Sequence, residues 1–297
     1  MIRLSNNFSF SFMAASGSLG FDGKGWPLPR YWLLRFLLNK YPNFIIPVIK
    51  TLTLYPIKEG SYRAISDGKD YVTNSVGLKN PGFSAWTEEY LPRIKKDIII
   101  SVTGNSVSEI RGLADFIKRL PKKYHRFIQG VEFNCSCPNT KKKWAAREIS
   151  KAVSVLRLIT QLPIGVKIAY HQDFIRITKE TSDVAEWISF NSVPWEIVFP
   201  DKESPLKRKY GVFGAVSGKV IKNINKNMAL EIKQAGIKTP VVASSIGWQE
   251  NIALAYLDTI EALKWAEAVS FGSLFRKHPT RPIRIAKNFF MEERGLS

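Results

Sequence analysis

Short apolar runs rich in β-branched residues recur along this chain, and many are followed by a longer segment whose apolar positions return every three or four residues. That alternation predicts strands joined by crossover helices, the pattern of a parallel α/β sheet or barrel. Strands are expected at residues 8–13, 44–49, 97–103, from Gly130 onward, at 163–168, up to Phe190, and at 240–243 and 268–271. Helices are expected at 29–41, 106–120 and 144–161, the second capped by Ser106 or Ser108. The first begins after Pro29 and stops at Pro42, because proline cannot continue a helix. Its tryptophan and arginines would suit a membrane surface. The immediate return to a strand argues for a barrel-covering helix instead. Residues 54–73 and 193–213 are polar and read as irregular excursions.

The unusual polar residues fall at the strand ends, where a barrel of this kind carries its active face. Lys50 and Lys167 each end an apolar run, a costly place for a cation unless it meets an anion or a polar ligand. Residues 130–140 begin as a strand and end where Pro138 forbids further pairing and Asn139 favours a turn. Asn134, Ser136, Cys137 and Asn139 gather there. Amides bind a polar ring through paired donors and acceptors, and a thiolate takes a proton. Glu132 shares a strand face with Asn134, so an interior Glu132 needs a partner, and Lys167 on the adjacent strand is the expected one.

With 297 residues, 45% of them hydrophobic, the chain can bury a large core as a single domain over residues 1–297. Only Ser136 separates the two cysteines, which places them poorly for a bridge. The three histidines are scattered and no zinc spacing occurs, so no metal site is expected. This cysteine usage suits a reducing cytoplasm. Residues 8–15 are apolar but short, with only Arg3 before them, which argues against a secretion signal. No run reaches transmembrane length, since Arg30, Arg35 and Lys40 interrupt the most apolar region. The net charge of +19 comes from small, dispersed lysine groups. A solvated basic surface is the preferred reading, with nucleic acid, an anionic membrane surface and steering of anionic ligands left open.

Asn134-Cys135-Ser136-Cys137-Pro138-Asn139 is similar to the Asn-x-Ser-Cys-Pro-Asn signature of dihydroorotate dehydrogenases, the flavin enzymes of pyrimidine synthesis. Thr73-Asn74-Ser75-Val76-Gly77-Leu78-Lys79-Asn80-Pro81-Gly82 resembles that family's Leu-Asn-Ser-Ile-Gly-Leu-x-Asn-Pro-Gly. The likeness runs over about residues 8–290. It implies flavin contacts at Ala14, Ala15, Ser16, Gly17 and Asn105, and a Lys50 that touches both flavin and substrate. It places Lys167 beside the flavin ring, and Asn191 and Ser192 at the substrate. Residues 214–218 resemble Gly-Gly-Leu-Ser-Gly, with Ala215 for a glycine, and bring Ser217 and Gly218 to the flavin. At the phosphate, Ala243-Ser244-Ser245-Ile246-Gly247 stands where Gly-Val-Gly-Gly-Ile is expected, and Gly272-Ser273 is similar to the family's Gly-Thr.

The resemblance implies a (β/α)8 TIM barrel with a polar excursion over its C-terminal face, FMN as cofactor, and oxidation of dihydroorotate to orotate in UMP synthesis. Cys137 would remove the C5 proton while hydride leaves C6 for the flavin. Asn74, Val76, Gly77, Leu78, Asn134, Asn139, Asn191 and Ser192 would hold the pyrimidine. A cysteine base looks like the soluble branch of the family, which implies a cytoplasmic homodimer, with a possible electron-transfer partner subunit. The sequence does not name the electron acceptor. Two alternatives stand beside this one. The first is a related flavin oxidoreductase for another pyrimidine, either a free dihydropyrimidine or dihydrouridine in tRNA. The second is a non-catalytic barrel that has lost flavin, motivated by Ala215 and the altered 243–247 loop.

Overall fold

A computed structural model describes residues 1–136, 143–293 and 295. Its central feature is an eight-stranded parallel sheet formed by β1 (Phe12–Ala14), β2 (Ile46–Pro47), β3 (Ile98–Val102), β4 (Ile128–Asn134), β5 (Ile164–Ile168), β6 (Ala185–Phe190), β7 (Val241–Ser244) and β8 (Ala268–Phe271). Parallel bridges from Val48 to Ile99 and from Leu52 to Val102 join β2 to β3 and close the barrel. Helices α1 (Trp32–Lys40), α2 (Phe83–Glu89), α3 (Val107–Lys118), α4 (Ala146–Thr160), α5 (Phe174–Thr181), α6 (Lys222–Gln234), α7 (Ile252–Ala262) and α8 (Arg281–Glu293) follow the strands in turn. This is the (β/α)8 order expected from the alternating pattern.

Local chemistry sets these elements. All residues of β3 and β5 are buried, as parallel strands covered on both faces must be. Ser106 caps α3 by accepting from the Glu109 N–H. Helix α1 turns Leu34 and Leu38 inward against the barrel and leaves Trp32 and Phe36 exposed. No described helix is long and apolar enough to cross a membrane.

Two expectations need correction. Residues 8–13 are not one strand. Ser9–Phe10 pairs antiparallel with Ile2–Arg3, and the chain bends at Ser11 before β1. This hairpin covers the N-terminal end of the barrel, where Ile2, Leu4 and Phe10 join Met13, Ile46, Val48, Ile99, Trp187 and Val242 in one apolar cluster. Glycine makes room for Trp187 there, since a Cβ on Gly165 would lie 1.9 Å from the indole. The polar excursions are not irregular throughout either. Ile65–Asp67, Tyr71–Asn74, Ala215–Gly218 and Val193–Pro194 form a four-stranded antiparallel sheet over the C-terminal mouth. Ile65–Asp67 and Tyr71–Asn74 form a local hairpin, but its pairing with Ala215–Gly218 joins segments far apart in sequence, which no local pattern announces.

Candidate active site

The C-terminal ends of the strands and the covering sheet enclose a cavity of about 520 Å³. That is within the ~300–1,000 Å³ range typical of small-molecule sites. Its lining brings together Ala15, Ser16, Gly17, Lys50, Asn74, Val76, Gly77, Leu78, Asn134, Lys167, Asn191, Ser192, Ser217, Ser244, Ser245, Gly272 and Ser273. These positions are spread over nearly the whole sequence and converge on one space.

The floor is polar. Lys50 and Lys167 are 8% and 7% exposed, so both ammonium-bearing side chains are largely out of water. Lys50 Nζ lies 6.0 Å from the Phe21 ring centre and 5.9 Å from that of Tyr62. Asn134 Nδ2 donates to Thr51 Oγ1 at 3.1 Å, and Thr51 and Ser101 share a 2.9 Å hydroxyl contact. Asn134 lines the cavity, and its Oδ1 is buried with no partner among the described residues.

The expected Glu132–Lys167 pair does not form. Glu132 Oε2 accepts from Ser189 Oγ at 2.8 Å and Oε1 from Ser101 Oγ at 3.4 Å. The register explains this: β4 sets Asn134, not Glu132, beside Lys167, and Glu132 faces Gly165. Ser101 and Ser189 went unrecognised in the sequence, because serines in buried strands carry no signal until their neighbours are known.

Other residues fall differently from expectation. Ala14 is fully buried in the layer between strands and helices, because alternation turns Ala15 rather than Ala14 to the interior. Asn105 lines a neighbouring cavity instead, and its backbone N–H donates to the Glu109 carboxylate at 2.9 Å. Gly218 sits behind the lining, where a side chain would strike the Asp70 carbonyl and Trp248. Ala215, which stands for a glycine of the motif, pairs with Asn74 and Pro194 in the covering sheet and is absent from the cavity lining. Cys137 and Asn139 lie outside the described residues.

Asn191 lines the cavity and also braces the signature segment, its Nδ2 donating to Ser136 O and Oγ at 3.2 Å. Ser136 Oγ in turn donates to the Lys167 carbonyl at 2.8 Å, so the signature segment is fastened to β5. Cys135 is buried, and that burial pushes its thiol up to about 12, too high to serve as a base near neutrality. Its Sγ–H donates to the Lys167 carbonyl at 3.2 Å, a structural role.

In the loop where the resemblance implies a phosphate, Ser245 takes φ 66°, the left-handed conformation that a glycine would adopt without strain. Arg276 also lines the cavity, held by two bonds to Asp67 of the covering sheet at 2.7 and 3.0 Å. Sequence reasoning passed over Arg276, although a basic residue just after Gly272-Ser273 was a usable signal. Trp26, Leu28 and Tyr62, from loops whose path the sequence did not reveal, and Tyr31, from the turn that opens α1, supply much of the apolar wall. The residues present therefore fit a flat, polar-edged ring with an anionic tail: Lys50, Lys167 and the amides of Asn74, Asn134 and Asn191 suit the ring's polar edge, Ser244, Ser245 and Arg276 suit an anion, and the aromatics supply apolar wall.

A family model described as Dihydroorotate dehydrogenase matches residues 7–245. Similar curated proteins include the "Dihydroorotate dehydrogenase B (NAD(+)), catalytic subunit" of Thermotoga maritima, 26% identical with 83% of this chain and 87% of that protein covered. The protein of the same name from Petrotoga mobilis is 26% identical, with 98% and 93% covered. Among solved structures, the ligand-free dihydroorotate dehydrogenase of Eimeria tenella matches with a TM-score of 0.66 at 15% identity. That match covers 99% of this chain and 88% of the other, and shows the likeness of fold.

Proposed function

Because this chain belongs to the dihydroorotate dehydrogenase family, we propose that the cavity at its barrel mouth binds FMN and dihydroorotate and that the protein oxidises dihydroorotate to orotate for pyrimidine synthesis. The observation that carries this reading is the convergence of Lys50, Lys167, Asn74, Asn134 and Asn191 on one cavity at the barrel mouth. FMN bound there supplies a two-electron acceptor for the hydride that leaves C6 of the substrate. The chain's own groups do the rest. Lys50 and Lys167 hold positive charge in a space largely shielded from water, where it favours negative charge on ring and substrate far more than it would in solvent. Asn134, with Asn74 and the backbone of residues 76–78, supplies the paired donors and acceptors that orient a pyrimidine. Asn191 contributes by holding the Ser136 segment in place.

Cys137 is the proposed base for the C5 proton, on the strength of the signature motif. Its neighbour Cys135 is unsuited, since its thiol is kept protonated by burial. The electrons taken from the substrate would need an exit. The names of the T. maritima and P. mobilis relatives, catalytic subunits of an NAD(+) enzyme, support a separate partner subunit as the exit. A homodimeric core in the cytoplasm completes the proposal.

The first test is the visible absorption spectrum of the purified protein, followed by anaerobic addition of dihydroorotate. A flavin spectrum that bleaches supports the reading. Bound flavin that does not bleach points to another pyrimidine, and a protein that binds no added FMN points to a non-catalytic barrel. Cys137→Ala should keep its flavin and slow anaerobic reduction by about 100-fold or more, the scale of a lost general base. Unchanged reduction kinetics would remove Cys137 from the mechanism.

A further inference from the structure

Behind the phosphate end of the cavity lies a residue to which neither the motifs nor the mechanism assigns a part. Asn225 sits near the start of α6, fully buried, with its carboxamide against the loop after β7. Its Nδ2 donates to Ser244 Oγ at 2.8 Å and to Ser245 Oγ at 3.3 Å. A hydroxyl oxygen that accepts from an amide still has its own proton to donate. Both serines line the cavity, so those protons are available to a ligand at its phosphate end. Asn225 Oδ1 is buried with no partner among the described residues, which hold the side chain through its donor alone.

The same helix grips the loop a second time. Lys222, one turn before Asn225, pairs with Asp258 and Glu261 of α7. The other Asp258 oxygen accepts the Gly247 N–H at 2.8 Å. The loop is therefore fastened on both sides of its turn, at Ser244 and Ser245 and again at Gly247. This bracing helps to hold Ser245 at φ 66° without the glycine that the motif would supply.

We propose that the phosphate subsite of this protein is built on hydroxyls: Ser244 and Ser245 donate O–H bonds to the phosphate monoester of FMN, and Asn225 is the positioning residue that directs both. The proposal rests on the FMN reading above and adds a device where the glycine-rich loop of the motif has been lost. A phosphate dianion offers only acceptors, and charge-assisted O–H donors to it are about twice as strong as neutral pairs. Arg276, at the same end, already shares its charge with Asp67, which leaves a larger share of recognition to the hydroxyls.

The test compares FMN with riboflavin, which carries the same ring and ribityl chain but no phosphate. Full-length protein stripped of flavin is titrated with each, following the quenching of flavin fluorescence. The wild type should prefer FMN. Asn225→Ala should lose about tenfold of that preference, the effect of one charge-assisted bond, with riboflavin affinity unchanged. Ser244→Ala, at the cavity wall, should shift the preference in the same direction and serves if Asn225→Ala does not fold. Equal weakening of both flavins in Asn225→Ala would mark a merely structural role and overturn the proposal. An FMN preference that survives in both variants would overturn it as well. A wild type that binds both flavins equally defeats the phosphate subsite but not the ring site, whereas one that binds neither defeats the FMN reading itself.

Discussion

Glu132 is the residue whose environment departs most from what its neighbours in sequence suggest. It is 1% exposed and held by two serine hydroxyls instead of a lysine. Ser189→Ala should destabilise the protein by about 2 kcal/mol, because it removes the shorter bond to a buried acidic side chain. Chemical denaturation with an unchanged m-value is the measurement, and a midpoint within error of wild type would refute the role. Cys135 gives a second prediction. With its thiol raised to about 12 by burial, almost none of it is thiolate at pH 8. Native protein treated with iodoacetamide at that pH should leave Cys135 unlabelled, and guanidinium-unfolded protein should label it, as peptide mapping would show. At this scale the lysines were legible, because a cation ending an apolar strand is conspicuous. Ser101, Ser189 and Asn225 were not, because their significance lies in partners 31, 57 and 19 or 20 residues away.

Among the elements, α6 and α7 behave as one support for the loop after β7. Hydrogen bonding to Lys222, followed by its charge, holds the Glu261 carboxyl below the usual value. A depressed folded value means that the contribution is present above the ordinary Glu range and is lost as pH falls through the folded value. The melting temperature should therefore drop on acidification into that range by more in wild type than in Glu261→Gln. Parallel curves would show that the network contributes nothing, as exposed pairs sometimes do. Helix boundaries such as the Ser106 cap were readable from local chemistry. The covering sheet was not, since Tyr71–Asn74 pairs with Ala215–Gly218 across almost half the chain.

For the molecule as a whole, the two ends of the barrel divide the work. The C-terminal end gathers the polar strand ends, while the N-terminal end is sealed by the hairpin of Ile2–Arg3 and Ser9–Phe10. Ser5 fastens that hairpin to Glu186, its N–H and Oγ donating at 2.7 and 2.6 Å. Leu4→Asp would bury a carboxylate in the apolar plug, so an expected loss of about 3 kcal/mol or more should appear in equilibrium unfolding. Wild-type stability in that variant would show that the plug is dispensable.

The sequence by itself determined the alternation of strand and helix, the strand-end location of the polar residues, and the motifs that mark the family. All of these are local properties, set by side-chain periodicity and turn chemistry within a few residues. Only the tertiary structure decided which residues share a wall. Register sent Glu132 to serines and set Asn134 beside Lys167, and alternation turned Ala15 inward instead of Ala14. Helix packing carried Asn225 to Ser244 and the loop after β7. Such contacts depend on how strands close into a barrel, and closure joins positions whose separation along the chain no local pattern records.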